Sequence, residues 1–245
     1  MSDDKAELRS YLDSHYPDIK DEMTVLSKEE VPFQTLMHIS KNTAIESFKP
    51  FVSVRVAEAT DKRVPRICTA SSLAGCFLGY YGDWWDFEVG TEEDEGFLGG
   101  YVIYGFDFEA AVLPSTKLVS DVECSNEMWL VTYNESTAEY KPKQLGKVFH
   151  MQIALNRVEG EVPTLRRDIT TFVEVYEGCT IPWNNTTTLE PGFYRIYTIG
   201  LMHSQAWDKL NQHSVENLSK EEYLKGKELT ASLLGLVELP CSARW

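Results

Sequence analysis

The stretch RICTASSLAGCFLGYY, Arg66 to Tyr81, sets a strand signal directly against a helix signal. Arg66-Ile67-Cys68-Thr69-Ala70 is short and mostly apolar, which suits a strand. Ser71 or Ser72 then offers the hydroxyl that caps a helix start, and Leu73, Phe77, Leu78 and Tyr81 fall on one side at helical spacing. A strand feeding into a capped helix, within a chain whose other apolar runs read mainly as strands, points to an α+β fold.

Those other runs lie on both sides of it. Upstream, Gln34 to Ile39 reads as a strand that ends in the polar turn Ser40-Lys41-Asn42-Thr43. Before that, Asp4 to Leu12 has helical spacing at Leu8, Tyr11 and Leu12, and apolar residues are then sparse until Val31-Pro32-Phe33. Residues 1–30 are therefore expected to form a helical arm. Downstream, Tyr101 to Phe108 and Met128 to Tyr133 read as strands, with a turn at Leu113 to Lys117 between them. The pattern restarts after Tyr140-Lys141-Pro142-Lys143. Lys147 to Leu155, Phe172 to Tyr176 and Phe193 to Ile199 are further strand candidates, and Ser204 to Leu218 and Lys220 to Leu236 have helical periodicity. The expected organisation is an arm over 1–30, a domain over 31–140 and an α+β carboxyl-terminal region over 141–245.

Bulk properties bound the function. A chain of 245 residues with 43% hydrophobic and 12% aromatic content has enough material for one large core or two small ones. No apolar run approaches membrane-spanning length, and MSDDKAELRS is acidic rather than signal-like, so a cytoplasmic protein without a membrane anchor is expected. The balance of 38 acidic against 23 basic residues gives a net charge of −15, which argues against non-specific nucleic-acid binding. Val54 to Arg66 is the most basic local stretch and reads first as a solvated loop; Thr91 to Gly96 is its acidic counterpart. The five cysteines are odd in number, with no Cys-x-x-Cys, and read as reduced thiols. The sequons at Asn134, Asn184, Asn185 and Asn217 then carry no glycan.

Phosphate-loop, dinucleotide-fold, zincin and nucleophile-elbow motifs are absent. His15, His38, His150, His203 and His213 are dispersed, so no metal site is expected. Trp84-Trp85 offers flat faces for stacking a sugar or base, although core or partner-surface aromatics are commoner.

Three segments together resemble the ADP-ribosyltransferase superfamily of the His-Tyr-Glu type. Met37-His38-Ile39-Ser40 is similar to the family's first strand end, Arg66 to Tyr81 to its strand, serine and helix, and Glu127-Met128-Trp129-Leu130-Val131 to its later glutamate-led strand. The likeness covers about Val31 to Tyr140. It implies a core of split antiparallel β-sheets with peripheral helices, followed by a second β-rich segment with carboxyl-terminal helices. It further implies NAD as substrate, nicotinamide as leaving group and a macromolecular or small-molecule acceptor, with a protein target among the candidates. Glu127 corresponds to the catalytic carboxylate. His38, Ser40, Ser71, Ser72 and one of Tyr80 and Tyr81 correspond to NAD-holding positions. The family's strand tyrosine has no counterpart, because Ile67-Cys68-Thr69 occupies that place.

The residue types suit those roles. A histidine holds ribose hydroxyls or an amide, an aromatic face stacks on nicotinamide, and a fixed carboxylate stabilises an oxocarbenium-like ribose. Taken singly, His38 reads first as a hydrogen-bonded strand-end histidine and Glu127 as an exposed strand-start acid; taken together with Ser71, Ser72 and Glu127, the two readings of His38 stand level. The charge of −15 also fits a different class: a non-catalytic acidic protein, such as a viral or mobile-element effector, that sequesters a basic host protein.

Overall fold

The computed structural model describes residues 3–52, 64–80, 97–119, 122–156, 166–201 and 215–233. Antiparallel strands dominate it, with few helices, so the fold is α+β and β-rich. The chain divides into two compact units: Met1–Phe87 with Val102–Leu145 and Thr180–Leu189, and Glu88–Tyr101 with Gly146–Cys179 and Glu190–Trp245. The expected division at residue 140 follows chain order, whereas these groupings interleave.

The first unit holds β1 (Met23–Ser27), β2 (Leu36–Ser40), β3 (Ile67–Ala70), residues 102–106 of β4 (Phe97–Phe106), β5 (Ala110–Pro114) and β6 (Glu127–Leu130), in the sheet order β1-β5-β6-β3-β2-β4. Pairing is antiparallel throughout: Val25 faces Val112, Val112 faces Trp129, Cys68 also faces Trp129, Ala70 faces Glu127, Met37 faces Ala70, and His38 faces Tyr104. Directly opposed residues share a face and neighbours along a strand alternate, so this register sorts the side chains into two layers. Val25, Val112 and Trp129 lie on one face, packed with Leu8 and Leu12 of α1 (Asp3–His15). Leu36, Tyr104, Phe106, Met128, Leu130 and Tyr140 fill the other.

Residues 3–30, expected as an arm, thus contribute a helix with two fully buried leucines and the edge strand β1. The sparse apolar spacing hid β1 because MTVLS alternates with only three inward positions, Met23, Val25 and Ser27.

The opening stretch forms β3 and α2 (Leu73–Tyr80) as expected. Ser72 is the cap, its Oγ accepting from Gly75 N at 3.1 Å. Ala74 N donates instead to Trp183 O at 2.8 Å, from the hairpin of β9 (Ile181–Pro182) and β10 (Thr188–Leu189). Gly75 is required by packing: a Cβ there would stand 2.3 Å from the carbonyl oxygen of Ser125, the last residue of α3 (Val122–Ser125).

The second unit carries residues 146–156 of β7 (Lys143–Asn156), β8 (Arg166–Val175), β11 (Gly192–Leu201) and β12 (Val215–Leu218), ordered β7-β8-β11-β12 and antiparallel. β12 corrects the helix expected over Ser204 to Leu218: residues 215–218 pair with β11, and residues 202–214 lie outside the described residues. The helix expected from Lys220 is present as α4 (Lys220–Leu233). It starts with a reciprocal cap, Ser219 Oγ accepting from Glu222 N and Glu222 Oε2 accepting from Ser219 N. Tyr223 packs it on Phe172 and Leu218.

Candidate functional site

β2 and β3 touch in register only at Met37 and Ala70, and beyond that pair the two strands part. Side chains satisfy the carbonyls left at the fork. His38 Nδ1 lies 3.0 Å from Cys68 O, and Cys76 Sγ donates to Met37 O at 3.3 Å. A carbonyl oxygen only accepts, so Nδ1 carries the proton and Nε2 presents a lone pair while the ring is neutral. Burial lowers the His38 pKa from its usual 6.5, opposed by the Cys68 carbonyl, and this favours that neutral form. Phe48 meets the imidazole edge-on at 5.2 Å and packs also on Tyr104.

The fork opens into a cavity of about 110 Å³ walled by His38, Cys68, Gly75, Cys76, Ser125 and Glu127, among others. Glu127 reaches it through a local device. α3 ends at Ser125, Asn126 takes a left-handed conformation with φ 49°, and Glu127 N donates to Ser125 Oγ at 3.3 Å as β6 begins. The Glu127 Oε1 accepts from the indole Nε1 of Trp129 at 2.7 Å.

Cys68 stands near this carboxylate. Burial pushes its thiol up to about 12, the Glu127 charge adds to the rise, and Arg66 opposes it. Cys76 is likewise raised to about 12 by burial, so both thiols are protonated at neutral pH and are poor nucleophiles. Cys68, Cys76 and Cys179 form no disulfide among the described residues.

Two candidate residues far apart in the chain, His38 and Glu127, therefore line one cavity. The register places them on opposite faces of the sheet, because Glu127 shares the face of Ala70 and Met37 whereas His38 alternates away from Met37. A ligand touching both must enter the fork itself.

The serines take other posts. Ser72 is engaged as the helix cap, Ser71 is 1% exposed, and Ser40 Oγ accepts from Asn42 N at 3.1 Å; the cavity lining includes none of the three. Tyr80 ends α2 without a described side chain, and Tyr81, Trp84 and Trp85 lie outside the described residues, as do residues 53–63 and the acidic run 91–96.

No protein-family model, curated protein or solved structure matches the chain. The site has to be judged on its own chemistry. Its two acceptors, the His38 Nε2 lone pair and the Glu127 carboxylate, suit a ligand that brings hydrogen-bond donors and develops positive charge. Among the described residues no group of three or more His, Cys, Asp or Glu side chains is placed to hold a metal, and no helix is long and apolar enough to cross a membrane.

Sequence reasoning passed over Trp129 and Arg66 at this site. The signal was available for Trp129: in Glu-Met-Trp it stands two residues after Glu127, which on a strand is the same face.

Proposed function

We propose that the chain transfers ADP-ribose from NAD to an acceptor and releases nicotinamide, with the fork between β2 and β3 holding the nicotinamide end. The observation that carries this is the convergence of His38 and Glu127 on one cavity. At about 110 Å³ the cavity has room for a ring-sized group, and the rest of a dinucleotide would lie outside it.

In the proposed step the bond between the ribose C1′ and the nicotinamide nitrogen breaks and its electron pair leaves with neutral nicotinamide. The Glu127 carboxylate stabilises the cationic ribose and accepts from the 2′-hydroxyl. The His38 Nε2 accepts from a ribose hydroxyl or from the carboxamide N–H. An acceptor nucleophile then bonds to C1′ and gives up its proton to water.

The test is NAD consumption with a broad acceptor panel, read as nicotinamide release. Wild-type protein turns NAD over, Glu127→Gln abolishes turnover, and His38→Ala weakens it. Wild-type protein that neither binds nor consumes NAD refutes the proposal.

A second function is favoured by a different feature. A hollow of about 440 Å³ is lined by Asp4, Asp107, Glu109 and Glu139 around Phe108 and Tyr140, against a single lining cation among the described residues, Lys141, with Asp107 paired to Lys28, and the whole chain carries −15. Such a surface suits a non-catalytic protein that occupies a basic site on a partner. Partner capture that is lost at high salt and unchanged by Glu127→Gln supports this alternative; capture lost with Glu127→Gln favours the enzyme.

A further inference from the structure

We infer that Trp129 is a positioning residue for Glu127, holding the carboxylate at the cavity wall, and that Arg66 in turn fixes the Trp129 ring. The inference rests on the ADP-ribosyl-transfer proposal above and adds to it how the carboxylate is aimed.

A glutamate at the first position of a strand has three side-chain torsions and would sample several of them if nothing held its end. Here the indole Nε1 sits 2.7 Å from Oε1, the length of a charge-assisted bond. Trp129 is itself 0% exposed, so its single N–H donor has no water to turn to and its ring cannot rotate away without disturbing the core around Leu8, Val112 and Val25. The donor is thus as rigid as the core, and the carboxylate inherits that rigidity.

Behind the indole lies a cation. The Arg66 guanidinium carbon is 4.2 Å from the centre of the Trp129 ring, and Arg66 is 4% exposed. Its own placement is secured by backbone exchange with Phe51, Arg66 N to Phe51 O at 3.0 Å and Phe51 N to Arg66 O at 3.3 Å, and by Nη1 donating to Val64 O at 3.2 Å. A cation over the indole face draws electron density from the ring and makes its N–H a stronger donor to a carboxylate. Arg66 shares the face of Cys68 two residues on, which sets it diagonally across from Trp129 on the neighbouring strand. Guanidinium, indole and carboxylate therefore form a row on one face that ends at the cavity.

Trp129→Phe keeps an aromatic body and removes the donor together with part of the buried ring volume, so its fold is checked first by urea denaturation. The expected result is a fall in kcat for NAD consumption of about 10- to 100-fold with little change in KM, because orientation and not binding is lost. Arg66→Met gives a smaller fall in the same direction. A second measurement does not depend on the variant's folding: in the wild-type chain the indole ¹H–¹⁵N resonance of Trp129 titrates with the Glu127 carboxyl, and in Glu127→Gln that titration disappears. NAD turnover at the wild-type kcat in Trp129→Phe, or a wild-type resonance that does not titrate, overturns the inference and leaves the transfer proposal standing. A resonance that titrates in a wild-type protein that consumes no NAD overturns the transfer proposal, and Trp129 then has no catalytic group to position.

Discussion

Replacing Gly75 with alanine sets two opposed effects against each other. Glycine in a helix costs about 1 kcal/mol relative to alanine, so propensity alone predicts that the variant is more stable. Packing predicts the reverse. The added Cβ would lie 2.3 Å from Ser125 O, 3.0 Å from the Ala70 Cβ and 3.3 Å from Ser72 Oγ, where ordinary contact begins at 3.4 Å. The closest of these is a backbone atom of α3, which cannot swing aside as a long side chain would, so α2 and α3 must separate by roughly 1 Å. Overpacking costs about 1–3 kcal/mol, and a 2.3 Å approach to a backbone atom belongs to the upper part of that range, about 2–3 kcal/mol, so with the propensity gain of about 1 kcal/mol subtracted the net loss is about 1–2 kcal/mol. Equilibrium urea denaturation reads it as a lower midpoint at an unchanged slope. Because Gly75 and Ser125 both wall the cavity, a weaker apparent affinity for its ligand should accompany the lost stability. A variant as stable as wild type, or more stable, would refute the close approach of α2 to α3.

Two further outcomes follow from the same structure. Leu12→Ala removes a side chain that is 0% exposed beneath α1 and should cost about 2–5 kcal/mol in the same denaturation assay; a cost near zero would mean that the amino-terminal helix is dispensable to the sheet. His38 has its folded pKa lowered from 6.5 by burial, so as pH falls the unfolded chain takes up the proton first. Its contribution is complete above pH 6.5 and declines as pH falls from there toward the folded value, and His38→Gln should flatten that part of the stability curve. Identical pH dependence in the two proteins, followed by thermal unfolding, would show that the imidazole is not buried as described.

Where local chemistry acts alone, the sequence was legible. The serine before Leu73 caps α2 because an oxygen at that place accepts the orphan N–H of Gly75. The apolar runs Gln34 to Ile39 and Met128 to Tyr133 marked β2 and β6, although β6 ends at Leu130, and the Lys220 helix carried its own start signal in Ser219 and Glu222. What depends on partners was not. Residues 215–218 have helical spacing, yet they lie along β11, where Arg195 pairs with Glu216, and ladder bonds decide the outcome over periodicity.

The candidate site divides in the same way. His38 and Glu127 could be singled out because histidine and glutamate at strand ends carry chemistry in their own side chains. That the two occupy opposite faces follows from the single pairing of Met37 with Ala70, a long-range register that neither segment encodes locally. Ser72 was attractive for the same hydroxyl that the helix start consumes, and Ser71 beside it is 1% exposed and outside the cavity lining.

The hairpin over Ile181–Leu189 has a consequence for synthesis. It belongs to the first unit although residues 146–179 of the second precede it, and its Trp183 carbonyl takes the Ala74 N–H at the start of α2 while its ring packs on Phe77. A ribosome that has released residue 145 has therefore delivered every strand of that unit's sheet but not the piece that closes the amino-terminal end of α2. At about 5–20 residues per second the wait is roughly 2–9 s, long enough for a nascent chain to expose that end of α2 and the Phe77 ring. A chaperone acting on this protein during translation would find its client there, and a truncation after residue 145 would make that transient state permanent.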